Sequence, residues 1–196
     1  MFVHQAPACR GIVRHLSAAA IASLASFSPG GLALAASSPP LPLGSAAPAL
    51  ALPTLRDGAR SLDGLRGKVV IVHFFATWCE PCREEMAGLS RLVARIGDGP
   101  VALLAVDVGE PELRVRRFFE KQPVPFPILL DEDRAAMKAW SVAVLPTSFV
   151  LDASHVLRLY AGGPVDWDDP SARPLLESLA NPAGVPPEGA LPPLNE

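Results

Sequence analysis

Residues 69–76 (VVIVHFFA) form a near-continuous apolar run that is rich in β-branched and aromatic side chains. Such a run is typical of a strand buried on both faces of a sheet, which requires packed layers on either side. An amphipathic stripe follows at helical spacing, formed by Met86, Leu89, Val93 and Ile96. Between strand and helix lies Trp78-Cys79-Glu80-Pro81-Cys82, with its proline in the first helical turn, where proline is tolerated. This junction predicts a layered α/β fold.

The remaining elements follow from the same patterns. An Asp57-Gly58 pair predicts the turn of a short N-terminal hairpin. Strands are predicted at 101–108, 126–130, 147–151 and 156–160, and helices at 111–121, 132–140 and 171–180. Strands that alternate with helices and end in a hairpin predict a mixed central β-sheet flanked by helices, with the N-terminal hairpin as an extension.

Four conspicuous side chains outside the cysteine run are interpreted as structural. Leu113 and Trp140 lie on predicted helices and are expected in the core. Trp167, next to several aspartates, is interpreted as the anchor of a turn. His155 falls in the turn of the C-terminal hairpin, where we expect it to be solvated.

The first 36 residues have the pattern of a targeting segment. Arg10 and Arg14 make a basic start, residues 16–27 are apolar and small, and residues 33–35 have the Ala-x-Ala form of a cleavage site. The pattern predicts a signal peptide at 1–36, cleaved near Ala35, and a periplasmic protein. The alternative is an uncleaved membrane anchor at 16–36, although proline and glycine interrupt that stretch.

Composition predicts the rest of the organisation. A Pro/Ala/Ser-rich linker is expected at 37–48, one folded domain at 49–180 and a disordered tail at 181–196. The net charge of −3 offers no basic surface, so we expect no nucleic-acid partner, and the chain is predicted to be a monomer. There is no dinucleotide fingerprint and no Walker lysine motif, so no cofactor is expected beyond a redox-active disulfide.

The number and spacing of the cysteines limit the chemistry that they can perform to redox exchange or metal binding. Cleavage removes Cys9 and leaves Cys79 and Cys82, which are too few for a tetrahedral zinc site by themselves. In an oxidising compartment such a pair is a catalytic redox couple or a metal clip. A helix N-terminus favours the redox couple, because its unpaired N–H groups and partial positive charge lower a thiol pKa. We expect Cys79, at the exposed end, to attack and Cys82, one turn in, to resolve.

Three runs resemble the thioredoxin superfamily, and more closely its TlpA/ResA-like branch of exported bacterial thiol–disulfide oxidoreductases. They are residues 67–70 (GKVV), 74–86 (FFATWCEPCREEM) and 145–149 (LPTSF). The resemblance extends over roughly residues 49–180. It implies a thioredoxin fold and an enzyme that exchanges protein disulfides through the two cysteines.

The resemblance also implies roles for residues near the cysteines. Pro146 matches the family's cis-proline, so that Leu145 and Pro146 would bind an extended substrate peptide beside the pair. Glu85 matches an acidic residue just inside the helix, which could shift the thiol pKa values or pass a proton to Cys82. The alternative for Glu85 is a solvated carboxylate on the helix surface.

Trp78, Glu80, Pro81 and His73 are expected to tune the redox pair. His73 replaces the buried Asp of thioredoxins, and it could be a hydrogen-bonded core residue, a proton acceptor or a metal ligand. Glu80 places an anion beside Cys79, which raises the free energy of its thiolate and favours the disulfide form. The couple is therefore predicted to be reducing.

These features predict an exported protein disulfide reductase that receives electrons from a membrane thiol donor. The resemblance suggests cysteines of apocytochromes c, and hence cytochrome c maturation, or cysteines of copper sites as substrates. The alternative from another class is a metallochaperone that holds Cu(I) through the same cysteines. A thiol peroxidase and a non-catalytic binding domain complete the alternatives, although the peroxidase run Pro-x-x-x-Thr-x-x-Cys is missing.

Overall fold

The apolar run after Lys68 forms the central strand of a mixed sheet. The computed structural model describes residues 39–180 and 189–190. The strands are β1 (Ala51–Pro53), β2 (Ala59–Ser61), β3 (Val69–Phe75), β4 (Val101–Val108), β5 (Ile128–Asp131), β6 (Thr147–Leu151), β7 (Leu157–Gly162) and β8 (Gly189–Ala190). The helices are α1 (Glu80–Ile96), α2 (Glu112–Lys121), α3 (Ala135–Ala139) and α4 (Ala172–Ser178), with a 3₁₀ turn at Asp63–Leu65.

The sheet has the strand order β5-β4-β3-β6-β7-β8. The β3–β4 and β4–β5 pairs are parallel, whereas β6 is antiparallel to both β3 and β7. The strands β1 and β2 form a separate antiparallel pair, the predicted N-terminal hairpin. The predicted fold class is therefore confirmed: a mixed sheet, flanking helices and a hairpin extension.

Alternate residues of β3 supply two different cores. Val69, Ile71 and Phe75 pack with apolar side chains of α1, α2 and α4 on one face of the sheet. Val70, Val72 and Phe74 pack with Trp140 and the N-terminal segment on the other face. All seven residues of β3 are buried, as the uninterrupted apolar run predicts.

The N-terminal segment, residues 41–47, packs on the sheet. The sequence predicts a later start of the domain, at residue 49. Leu41 and Leu43 contact the core, and the Gly44 N–H donates to the Leu157 carbonyl at 2.8 Å. The predicted linker at 37–48 thus contains residues with tertiary contacts, because its two leucines cover apolar surface of the sheet. The predicted signal peptide lies outside the described residues, as does the predicted tail except for residues 189–190.

No helix within residues 39–180 is long and apolar enough to cross a membrane.

Trp140 is fully buried, as predicted.

Two single-residue predictions are wrong. Leu113 is 58% exposed, because α2 turns Val115 and Phe119 toward the core and Leu113 away from it. His155 is only 3% exposed, because the N-terminal segment passes over the hairpin turn and the Ala47 N–H donates to its carbonyl at 3.0 Å.

Helix α3 begins three residues later than predicted, and Asp131 explains where it starts. Arg134 precedes the helix with a positive φ of 61° and its side chain provides no cap. Instead, the buried Asp131 carboxylate accepts hydrogen bonds from the N–H groups of Ala136 at 3.0 Å and Met137 at 2.8 Å. One strand-end residue therefore caps the helix that packs behind the sheet.

Replacing this cap should destabilise the fold. For Asp131→Ala we expect the free energy of unfolding to fall by about 1–2 kcal/mol, since the helix loses its capping acceptor. Urea denaturation measures the loss, with the exposed Asp98→Ala as the control, which should change stability by less than about 0.5 kcal/mol. Equal effects of the two substitutions would contradict the capping role.

Candidate active site

Cys79 and Cys82 form a disulfide at the N-terminus of α1. Cys79 is the N-cap residue with extended backbone angles, and the Cys82 N–H donates to its Sγ at 3.3 Å. Pro81 lies in the first turn, where its lack of an N–H costs nothing. Cys79 keeps 6% of its surface exposed and Cys82 none, so Cys79 is the more accessible residue of the pair.

The charge of Glu80 is partly offset by a neighbour. The Arg83 guanidinium donates to the Glu80 carboxylate at 2.6 Å, and both side chains are substantially exposed. An exposed ion pair is screened by solvent, so the effect of Glu80 on Cys79 is weaker than the sequence alone suggests.

A buried carboxylate anchors the segment that leads to the cysteines. Glu110 accepts hydrogen bonds from the backbone N–H of Thr77 and from its hydroxyl, the latter at 2.8 Å. Arg114 pairs with the same carboxylate at 2.8 Å. Glu110 is not among the residues predicted from the sequence, although a signal exists. Thr77 and Glu110 follow neighbouring parallel strands, whose ends meet at one edge of the sheet.

The Leu145–Pro146 peptide bond is cis, as the resemblance implies. The Pro146 carbonyl accepts from the Gly163 N–H at 2.9 Å, and the Thr147 hydroxyl donates to the Val144 carbonyl at 2.7 Å. Among the described residues, the N–H and C=O of Leu145 have no backbone partner. They are free to pair with an extended peptide.

Trp78 and Val144 expose apolar surface next to the two parts of the site. Trp78, which directly precedes Cys79, is 60% exposed, and Val144, two residues before Pro146, is 49% exposed. Both side chains are therefore available to contact a molecule bound at the site.

Behind the disulfide lies a buried polar cluster made of Glu85, His73, Ser148 and Trp167. The Trp167 indole N–H donates to Glu85 Oε1, and His73 Nδ1 lies 3.9 Å from the same oxygen. His73 Nδ1 also hydrogen-bonds the Ser148 hydroxyl at 2.9 Å, since the two residues face each other on β3 and β6. Glu85 is 3% exposed, so the alternative of a solvated helix-surface carboxylate is wrong.

Burial makes both ionisable groups of this cluster neutral near pH 7. It raises the pKa of Glu85 to about 8, against the opposing effect of the hydrogen bond from Trp167. It lowers the pKa of His73 to about 3. Glu85 Oε2 has no hydrogen-bond partner among the described residues, so it is the oxygen available to carry a proton.

Trp167 is held in place from the surface. The Arg95 guanidinium donates to the Trp167 carbonyl at 2.6 Å, and Asp168 binds both Arg91 at 2.5 Å and Arg95 at 3.0 Å. These two guanidinium groups lower the pKa of Asp168 to about 2. The sequence predicted only that Trp167 anchors a turn; its contact with Glu85 depends on how α4 and its preceding loop pack against α1.

A second buried acid lies on β4, the parallel neighbour of β3. Asp107 pairs in register with Phe75, and burial together with the charge of Glu110 raises its pKa to about 9. Asp107 carries no sequence signal of its own, because an aspartate near a strand end resembles any turn-forming residue.

The described residues contain no group of three or more His, Cys, Asp or Glu side chains that could hold a metal ion. Cys79 and Cys82 are bonded to each other, and His73 Nδ1 is hydrogen-bonded to Ser148. This arrangement does not favour the metallochaperone alternative.

Comparison with known proteins places this geometry in a family. The chain matches the AhpC/TSA family over residues 43–160. It is 35% identical over 127 residues to the thiol-disulfide oxidoreductase ResA of Geobacillus kaustophilus, covering 65% of this chain and 73% of that protein. The ResA of Bacillus subtilis is 36% identical over 109 residues, covering 56% of this chain and 61% of that protein.

Solved structures agree with these relatives. A Chlorobium tepidum protein assigned as the thiol:disulfide interchange protein DsbE matches with a TM-score of 0.66 and 25% identity, covering 72% of this chain and 99% of that one. StoA from Bacillus subtilis matches with a TM-score of 0.56 and 26% identity, covering 64% and 94%. The chain belongs to the AhpC/TSA family of the thioredoxin superfamily and is a thiol–disulfide oxidoreductase similar to ResA.

Proposed function

We propose that this protein is an exported reductase of protein disulfides. The observation that carries the proposal is the disulfide at the start of α1, with Cys79 slightly exposed at 6% and Cys82 fully buried one turn from the buried Glu85. The N-terminal sequence pattern supports export to the periplasm. No cofactor is required, since the cysteine pair itself carries two electrons.

The reduced pair acts first through Cys79. Its thiolate, stabilised by the N–H groups at the start of α1, attacks a sulfur of the client disulfide. A bond forms between Cys79 Sγ and that sulfur while the client S–S bond breaks. The second client sulfur leaves as a thiolate and takes up a proton.

Cys82 then completes the exchange. Its thiol must lose a proton before it attacks Cys79 Sγ, and its complete burial disfavours the charged thiolate. Glu85 lies three residues further along the same buried helix face, where side chains are neighbours. The fraction of Glu85 that is ionised, which grows as pH rises toward its pKa of about 8, accepts the proton. The Cys79–Cys82 bond forms, the bond to the client breaks, and the client has gained two electrons.

The cis-proline loop positions the client chain. The free N–H and C=O of Leu145 pair with an extended segment that carries the client cysteine, while Trp78 and Val144 cover its apolar side chains. Cysteines of apocytochromes c and of copper sites are the substrate candidates. A membrane thiol protein is the proposed electron donor, because a reductant in an oxidising compartment must be recharged from elsewhere.

The reduction potential of the cysteine pair tests the direction of electron flow. We expect a value below roughly −240 mV, measured by Trp78 fluorescence in defined thiol buffers. Glu80→His should raise the potential, because it removes the anion next to Cys79. Glu84→His is the matched control, since Glu84 is exposed in the same turn but outside the cysteine loop. A value above roughly −180 mV would instead indicate an oxidase or isomerase.

Glu85→Gln should slow the resolving step and change its pH dependence. When reduced protein reacts with an aromatic disulfide reagent, one coloured thiolate is released by attack of Cys79 and a second by resolution. In the wild type we expect the second phase to accelerate as pH rises through about 8, the pKa of Glu85. In Glu85→Gln it should be roughly 100-fold slower at pH 8, a typical loss for a proton acceptor.

The same substitution has a distinct effect on stability. Glu85 holds its proton in the folded state up to about pH 8 but releases it near 4.5 when unfolded, so wild-type stability falls as pH rises between these values. Relative to wild type, Glu85→Gln should therefore gain up to about 1.4 kcal/mol per pH unit in urea denaturation. A second phase with unchanged pH dependence, despite this stability gain, would refute the proton-acceptor role.

Trp167→Phe should shift the pH profile of resolution upward. It removes the N–H that lowers the pKa of Glu85, so the midpoint of the second phase should rise by about one pH unit. Trp140→Phe is the control, because Trp140 is equally buried, lies on the opposite face of the sheet and donates to no described residue. Identical midpoints in the two variants would show that Trp167 only packs.

A further inference from the structure

Half of strand β4 has no neighbour on one side. It pairs with β3 along residues 101–107 but with β5 only from Ala105 to Val108. Residues 101–104 therefore have no neighbouring strand on that side, at the end of the sheet opposite to the disulfide, and Val101 and Leu103 keep 7% and 6% of their surface exposed. An open edge presents unpaired backbone groups that can accept another strand.

Two residues of this edge have backbone groups that point outward. The Ala105 N–H donates to the Pro127 carbonyl at 3.3 Å, on the β5 side of the strand. Backbone groups alternate sides along a strand, so those of Val101 and Leu103 point the same way. Within residues 39–180 they have no hydrogen-bond partner there, whereas Ala102 and Leu104 point to β3.

A cleft opens directly beside these groups. It has a volume of about 770 Å³, within the range of ligand-binding clefts, and residues 101–104 form one wall. Its apolar lining includes Ile71, Phe119 and Phe126. The turn of the β1–β2 hairpin and the C-terminal end of α1 line the other sides.

Charge at the cleft favours an acidic ligand. Arg56, Arg60 and Lys68 line it and make no ion pair with a described residue. They outnumber the two carboxylates of the lining, Asp57 and Asp98. The cleft thus combines an apolar floor, an excess of cations and a strand edge.

We propose that this cleft binds an extended segment of a partner polypeptide, in which apolar and acidic residues alternate, as an added strand on β4. An extended backbone supplies donors and acceptors at the spacing of Val101 and Leu103, and strand addition is an established mode of peptide recognition. The four-residue edge is about 13 Å long at 3.3 Å per residue. Cys79 remains accessible when the cleft is occupied, because it lies beyond the other end of β3.

The proposal does not depend on the redox function and is tested with the full, oxidised chain. The probe is a hexapeptide with fluorescein on its N-terminus, fluoresceinyl-Val-Glu-Val-Glu-Val-Glu-amide, titrated by fluorescence anisotropy. Binding should weaken at least about tenfold when the glutamates are replaced by lysine, or when alternate backbone nitrogens are methylated. N-methylation is decisive, because it removes the strand hydrogen bonds and leaves the side chains unchanged.

Hydrogen exchange locates the bound peptide. Exchange of the Val101 and Leu103 amides should slow at least about tenfold on binding, whereas Ala102 and Leu104 should be unchanged, since they already donate to β3. The charge-reversed variant Arg56→Glu/Arg60→Glu should bind at least about tenfold more weakly. Arg117→Glu/Lys121→Glu, which reverses two exposed charges outside the cleft, is the matched control.

Several results would overturn the proposal. Absence of binding at millimolar peptide, equal binding of the N-methylated peptide, or unchanged exchange at Val101 and Leu103 would each exclude strand addition. Displacement of the peptide by octanoate with equal affinity would assign the cleft to small amphipathic anions instead. The reduction potential of the cysteine pair should be unaffected by the peptide, which separates this test from that of the proposed function.

Discussion

The burial of β3 on both faces is the constraint on which the rest of the structure depends. Every residue of the strand is covered, so the chain can reach solvent only where the strand ends. That end lies next to the start of α1, and the cysteine pair occupies the junction. The slight exposure of Cys79, the full burial of Cys82 and the free N–H groups at the helix start all follow from this placement.

The same burial controls the electrostatics of the site. His73, Glu85 and Asp107 lie on the face of the sheet that α1 covers, and loss of solvent shifts each pKa toward the neutral form. Because these groups are uncharged, they do not repel a thiolate electrostatically. They can still donate or accept protons. At neutral pH, the interior behind the disulfide therefore holds protons but little net charge, and the field at Cys79 comes mainly from the helix terminus.

Sequence patterns predicted the structural features that depend on local periodicity. They missed the contacts that form between elements distant in sequence. The buried strand, the order of the elements and the cysteine junction follow from spacing within a few residues. The contact between Trp167 and Glu85 joins residues 82 positions apart, and nothing local indicates it. His155 was misjudged for a related reason: a turn residue is normally solvated, but here a separate segment covers it.

Two carboxylates near the cysteines differ in how strongly they act on the redox couple. Glu80 is exposed and paired with Arg83, so solvent and an opposite charge both weaken its effect on Cys79. Glu85 is buried and uncharged at neutral pH, but once ionised above about pH 8 it is an anion in a poorly screened interior. Such an anion disfavours the thiolates of the reduced form. The couple should therefore become more reducing in alkaline conditions through Glu85 rather than through the residue inside the cysteine loop.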